Sequence, residues 1–260
     1  MTKRSAVIFD GHYSGRFTAT YDQWLALCDE MLAEGCERFS VTECGGKDAR
    51  LALAHWAHNH GWDLVHFAGF GESECAILSD PAVLSLVESE ALPLTNLTLT
   101  SARKAPMVAP VAHHEHIATG CDDWRSVAHL PAHLEGPDGF KPGQAARVHR
   151  SAVDGWKQGM KGRAPRTLMF DSNVNLRLPW VRDWLAHKFP RLSSAWGRHL
   201  PRWGTFRRRV IDLVLTTLHR AGPIRRVAHM PGFDHVGFVV PLDLSRPNRR
   251  WQRAGKKESR

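Results

Sequence analysis

Arg166-Thr167-Leu168-Met169-Phe170-Asp171-Ser172-Asn173 reads as a short apolar strand that ends in an acid and an amide. Asp and Asn are favoured where a chain turns, so the tripeptide from Asp171 to Asn173 marks the strand end. Working outward, four more short hydrophobic stretches close in a similar way. Thr42-Glu43 and Val127-Ala128-His129-Leu130 lie upstream, and Arg209-Val210-Ile211-Asp212 and Phe233-Asp234-His235 lie downstream. Carboxylates and imidazoles on adjacent strand ends can converge on one point.

Such a set suits phosphate-ester hydrolysis. That chemistry needs a cation against the phosphate, an oriented water, a donor for developing charge and a proton for the leaving oxygen. Hard divalent ions prefer carboxylates and keep several waters, so one or two acids suffice as ligands.

In this order the five motifs resemble the strand-end motifs of the endonuclease/exonuclease/phosphatase family, metal-dependent phosphodiesterases that include deoxyribonucleases and abasic-site endonucleases. Any one motif is weak, whereas five in the right order are much stronger. The resemblance implies an α/β fold, two mixed β-sheets packed as a sandwich and flanked by helices in four layers. It implies Mg²⁺ or Mn²⁺ as cofactor and a nucleic acid, DNA above all, as substrate. Glu43 and Asp234 would hold the metal, and Asp171 and Asn173 would orient water and phosphate. His129 would contact the scissile phosphate or act as general acid, and Asp212 would orient His235 as base or phosphate donor. Glu74 to Ser79 is similar to the strand that follows Glu43 in the family. Where the family's first strand ends in a metal-site asparagine, this chain offers Asp10 or His12. A phosphomonoesterase for a small or lipid-linked phosphate, and a non-catalytic nucleic-acid-binding member of the fold, are the alternative functions.

The 260 residues are enough for one large α/β domain, expected over 1–245. Residues 246–260 hold seven Lys or Arg against one Glu and read as a solvated basic tail. A net charge of +9 favours a polyanionic partner through counterion release. No apolar run approaches the roughly 18 residues of a spanning helix. The first apolar run breaks at Asp10, too short for a signal-peptide core, so a cytoplasmic setting is expected. Five cysteines without a C-x-x-C pair argue for reduced, buried thiols.

Strands are expected at 5–9, 38–43, 63–68, 75–79, 107–113, 125–130, 166–171, 208–216, 224–229 and 235–240. Thr20 with Gln23 has the spacing of a capping box and opens a helix that Gly35 can stop. Further helical patterns occupy 47–60, 143–160 and 179–189. Trp24, Trp56, Trp156 and Trp184 fall on apolar helical faces and read as core. Trp196 and Trp203, interleaved with arginines from Arg191 to Arg209, can either grip a phosphate backbone or belong to a solvated Arg-rich loop. His113 to His116 put two imidazoles on one strand face, but spacing assigns no third ligand, so a solvated edge is the better reading.

Overall fold

The computed structural model describes residues 6–68, 74–95, 107–130, 135–136, 139–140, 144–196, 200–206 and 209–248. The first part alternates: β1 (Val7–Ser14), α1 (Tyr21–Ala33), β2 (Arg38–Thr42), α2 (Lys47–His60), β3 (Asp63–His66) and β4 (Cys75–Ser79). An antiparallel meander follows, β5 (Leu84–Thr95), β6 (Met107–His116) and β7 (Cys121–His129), then the small hairpin β8 (Glu135–Gly136) and β9 (Gly139–Phe140). The chain continues through α3 (Gln144–Gly159), β10 (Arg166–Asp171), α4 (Pro179–Lys188), β11 (Ser193–Ser194) and β12 (Asp212–Thr216). It closes with β13 (Leu218–Arg220), β14 (Arg225–Arg226) and β15 (Phe238–Pro247).

The strands form two mixed sheets. One runs β13-β15-β1-β2-β4-β3, with β14 on β15, and the other runs β11-β12-β10-β7-β6-β5. Parallel pairs β1–β2 and β10–β7 lie among antiparallel neighbours. Outside the first sheet, Trp24, Leu27 and Met31 of α1 and Leu53 and Trp56 of α2 cluster with Phe39 and Val41 of β2. Outside the second, Val153 and Trp156 of α3 and Val181 and Leu185 of α4 cluster with Leu168 and Phe170 of β10. The order is therefore helix, sheet, sheet, helix, as the motif resemblance implied.

Local signals explain the helices. The Thr20 hydroxyl accepts the Gln23 N–H at 3.4 Å, and the Gln23 side chain accepts the Thr20 N–H at 2.8 Å, so two of the orphan donors of α1 are satisfied. Gly35, at φ 75°, lets the chain leave that helix in the left-handed region. Among the described residues no helix is long and apolar enough to cross a membrane.

Between the sheets lies a buried charged network. Arg38 donates to Asp10 at 2.8 Å and to Asp123 at 2.6 Å, while Arg125 donates to Asp10 at 3.0 Å and to Ser40 at 2.8 Å. Two guanidinium groups face two carboxylates, the condition under which buried charge is tolerated. Asp10 is thus a link between sheets, its Oδ2 taken by two guanidinium groups. Its position in β1 turns it toward β7, away from the strand ends.

Several element readings change. β1 runs on to Ser14, beyond the expected 5–9. The strand expected at 208–216 begins only at Asp212. The long edge strand β5 has no counterpart in the sequence reading, because its side chains are mostly exposed and include Glu88, Glu90 and Pro93. β15 extends to Pro247, and the N–H of the buried Asn248 donates to Thr217 O. The rest of the basic tail lies outside the described residues.

Candidate active site

Six strand ends meet along one edge of the sandwich. β1, β2, β7 and β10 deliver Ser14, Glu43, His129 and Asp171 at their C-terminal ends, and β12 begins there with Asp212. Register does the aligning: Asp171 stands beside His129 on one neighbour and beside Asp212 on the other. His235 precedes β15, which runs antiparallel to β1, and so arrives at the same edge.

The distances describe a connected set. His235 Nδ1 donates to Asp212 Oδ2 at 3.0 Å, and His235 Nε2 lies 3.8 Å from Asp171 Oδ2. His129 Nδ1 is 3.4 Å from Asp171 Oδ2, and His129 Nε2 is 3.5 Å from Glu43 Oε1. Asp171 Oδ1 accepts the Asn173 N–H at 2.8 Å, an Asx turn of the kind its sequence suggested. Asn173 Nδ2 donates to Leu130 O at 2.7 Å, which ties this turn to the end of β7. Asp234 is exposed at the mouth. The expected residues are thereby brought together.

Two of these residues hold an unusual backbone: Glu43 has φ 57° and Asn173 φ 51°. Asparagine visits this region with little penalty, but a glutamate there is strained, and such strain collects at functional sites.

Electrostatics follow from burial against charge. Burial disfavours the His235 imidazolium, yet the Asp212 carboxylate and its hydrogen bond, with Asp171 and Asp234, lift its pKa to about 10. His129 is likewise raised, since Asp171 and Glu43 outweigh burial. Asp212 is held well below the ordinary carboxylate range: burial opposes this, but His235 and His12 prevail. Glu43 is pushed up, first by burial and then by the charges of Asp171 and Asp234, against the pull of His129.

That crowding bears on a metal. Asp171, Asp212 and His235 place ligand atoms within 4.8 Å of one another. Asp212, however, already receives Ser14 Oγ and His235 Nδ1. The more open oxygens are those of Glu43 and exposed Asp234, whose mutual repulsion with Asp171 a divalent cation would relieve. An all-oxygen donor set of this kind fits Mg²⁺ or Mn²⁺. Glu74, by contrast, is spent: its buried carboxylate takes Arg50 Nε at 3.0 Å and His66 Nε2 at 2.9 Å.

Two supporting residues, Ser14 and Thr205, escaped the sequence reading, whereas His12 was one of its two first-strand candidates. Ser14 donates to Asp212 Oδ1, and His12 Nε2 lies 3.5 Å from the same oxygen, so β1 reaches the site through these two. Thr205 Oγ1 accepts the N–H groups of Ile211 and Asp212 at 3.0 and 3.1 Å, and Thr205 O accepts that of Val236 at 2.7 Å. One threonine thus fixes the approach to both members of the Asp212–His235 pair. Continuing the β1 pattern past Asp10 would have found Ser14; nothing local marks Thr205.

The remaining motifs divide. Trp196 is buried against Phe238 at 4.9 Å, so it is core, while Trp203 stays half-buried. His113 stacks on Trp124 at 4.4 Å, and His114 pairs with Ser79 at 2.9 Å, which leaves these imidazoles in structural contacts.

No protein-family model and no curated protein matches the chain. Solved structures do. A mannosyl-6-phosphatase of Bacteroides thetaiotaomicron superposes with a TM-score of 0.64 at 14% identity, over 90% of this chain and 99% of that one. The human Nocturnin catalytic domain with bound sulfate gives 0.62 at 16%, over 92% and 93%. D. rerio TDP2 complexed with single strand DNA product gives 0.64 at 13%, over 92% and 99%. An endonuclease/exonuclease/phosphatase family protein, again from B. thetaiotaomicron, gives 0.65 at 14%, over 92% and 98%. Two mixed sheets, their helical layers and these likenesses give this chain the fold of the endonuclease/exonuclease/phosphatase family.

Proposed function

We propose that this protein is a metal-dependent phosphodiesterase that hydrolyses nucleic-acid phosphodiester bonds, those of DNA above all. The observation that carries the reading is the convergence of Glu43, His129, Asp171, Asn173, Asp212 and the Asp234–His235 pair on one sheet edge. Under this reading Glu43 and Asp234 hold Mg²⁺ or Mn²⁺. A bound ion supplies charge neutralisation at the phosphate and a more acidic water.

The chain's own residues account for the proton steps. Asp171 Oδ2, facing both imidazoles, takes a proton from the attacking water as its oxygen bonds to phosphorus. Asn173 orients the phosphate, its tether to Leu130 O setting where the side chain lies. His235, with a pKa of about 10, is an imidazolium at neutral pH and serves as a donor to the phosphate oxygens, not as the base. His129 protonates the leaving oxygen as its bond to phosphorus breaks. The proton on Asp171 can then return to His129 across their 3.4 Å contact.

The TDP2 complex with single strand DNA product supports a nucleic-acid substrate, and the net charge of +9 agrees with one. Five cysteines that form no disulfide with one another go with a cytoplasmic setting. The likeness to a mannosyl-6-phosphatase favours a second reading, a phosphomonoesterase for a small ester. End-labelled single- and double-stranded DNA, incubated with Mg²⁺ or Mn²⁺ and with or without chelator, tests the choice. Chelator-sensitive cutting that Asp171→Asn loses is expected. Phosphate release from small esters without cutting of any oligonucleotide would decide for the second reading, and no hydrolysis of either would overturn both.

A further inference from the structure

Asp234 also borders a cleft whose other lining residues none of these proton steps uses. This open cleft has a volume of about 790 Å³, within the roughly 300–1,000 Å³ of sites that take organic ligands. Three separate segments build it: Arg177 after β10, Arg202 and Trp203 before β12, and Arg226 and His229 after the start of β14. Among its described lining residues three arginines stand against one carboxylate, Asp234.

The cleft is held in shape. Arg177 Nη2 donates to Pro201 O at 2.8 Å and to Arg202 O at 3.1 Å, which pins the Trp203 segment to the turn after β10. Trp203 rests edge-on against buried Trp196, with ring centroids 5.5 Å apart. The Arg226 guanidinium carbon lies 5.9 Å from the Trp203 ring centre. A fixed, half-exposed indole flanked by exposed guanidinium groups offers a stacking surface and phosphate contacts together. This is how proteins hold single-stranded nucleic acid.

Position gives the cleft its meaning. Asp234 is common to it and to the candidate centre, so whatever fills the cleft adjoins the reacting phosphate. A small sugar phosphate has neither an aromatic ring for Trp203 nor a second anionic group for the arginines. In a duplex the base faces are covered by their stacked neighbours and cannot reach an indole. An unpaired strand satisfies both demands.

We propose that this cleft seats the stretch of a single nucleic-acid strand that flanks the scissile phosphate, one base stacked on Trp203 and neighbouring phosphates against Arg202 and Arg226. The assignment rests on the proposed function, because the centre defines what adjoins it.

Its test is binding without turnover. A fluorescein-labelled deoxyoligonucleotide of about eight residues, in chelator, is titrated with the full chain and followed by anisotropy at several salt concentrations. Arg202→Glu and Arg226→Glu should each weaken binding about tenfold, with the log–log salt slope smaller by about 0.7 for each phosphate no longer neutralised. Trp203→Ala should lose at least fivefold through stacking. The exposed arginines keep the test decisive if the tryptophan variant fails to fold. Lys161→Glu, an equal charge change beyond the end of α3, should alter binding less than twofold.

Unchanged affinity in both arginine variants would overturn the proposal. So would a duplex that competes as well as the single strand, or a sugar 6-phosphate that displaces the strand at equal concentration. The two readings fail separately. Strand binding through the cleft without hydrolysis of any phosphate ester would sink the activity and keep the cleft. Hydrolysis together with arginine variants of parental affinity would do the reverse.

Discussion

Asp171 lies between His129 and His235, and its two oxygens have different occupations: Oδ1 accepts the Asn173 N–H, and Oδ2 faces the imidazoles. Asp171→Asn keeps the shape and removes the proton acceptor, so turnover should fall about 10²- to 10⁴-fold with the melting temperature nearly unchanged. Near-parental turnover by folded protein would remove Asp171 from the proton step. The Asp212–His235 pair has its own signature. His235 is raised from 6.5 to about 10, so its stabilising contribution is complete below pH 6.5 and is lost as pH climbs through 10. Asp212, held low, stabilises above its ordinary 3.8 and loses that contribution on acidification. Asp212→Asn should therefore drop the His235 pKa toward 6.5 in a metal-free NMR titration. The gap in melting temperature between parent and variant should close as pH rises from 7 to 10. A His235 titration that the substitution leaves in place would show that Asp212 is not what holds the proton.

At the scale of elements, the two sheets meet partly through charge. Asp10 of β1 accepts from Arg38 of β2 and Arg125 of β7, and all three are fully buried. Asp10→Ala would leave two buried guanidinium groups to one carboxylate, Asp123, and should cost about 3–5 kcal/mol in urea unfolding. A loss below about 1 kcal/mol would mean that Asp123 alone compensates both arginines. Helix α3 approaches β5 closely, since a Cβ on Gly155 would fall 1.9 Å from Leu94 O. Small residues at such crossings are requirements of packing, and helical periodicity alone does not reveal them. The edge strand β5 was illegible for a related reason. An exposed strand needs no apolar alternation, and its identity comes from backbone pairing with β6.

At the scale of the whole molecule, the carboxylates of Glu43 and Asp234 belong to segments far apart in sequence, so a cation held by both would be linked to folding. Mg²⁺ or Mn²⁺ at about 100 times its Kd should stabilise the native state by about 2.7 kcal/mol, measurable as a rise in melting temperature. Glu43→Gln should remove most of that rise. A parental rise in the variant would place the ion elsewhere. The net charge of +9 acts over the same scale and would favour the approach of a polyanion.

Strand-end chemistry was legible along the chain because each motif is local: an apolar run supplies the strand, and Asp, Asn or Glu at its end is free to turn toward solvent or ligand. The capping box of Thr20 and Gln23 was legible for the same reason. The order of the five motifs was enough to suggest a four-layer sandwich. Which β1 side chain reaches the site was decided only in three dimensions. Asp10, His12 and Ser14 share one strand face, and the opposing sheet meets the first with Arg125 and the last two with Asp212. Thr205, the core role of Trp196 and the cleft beneath Trp203 were likewise decided by tertiary packing. Each depends on contacts between segments that sequence patterns describe one at a time and that only register and sheet packing bring together.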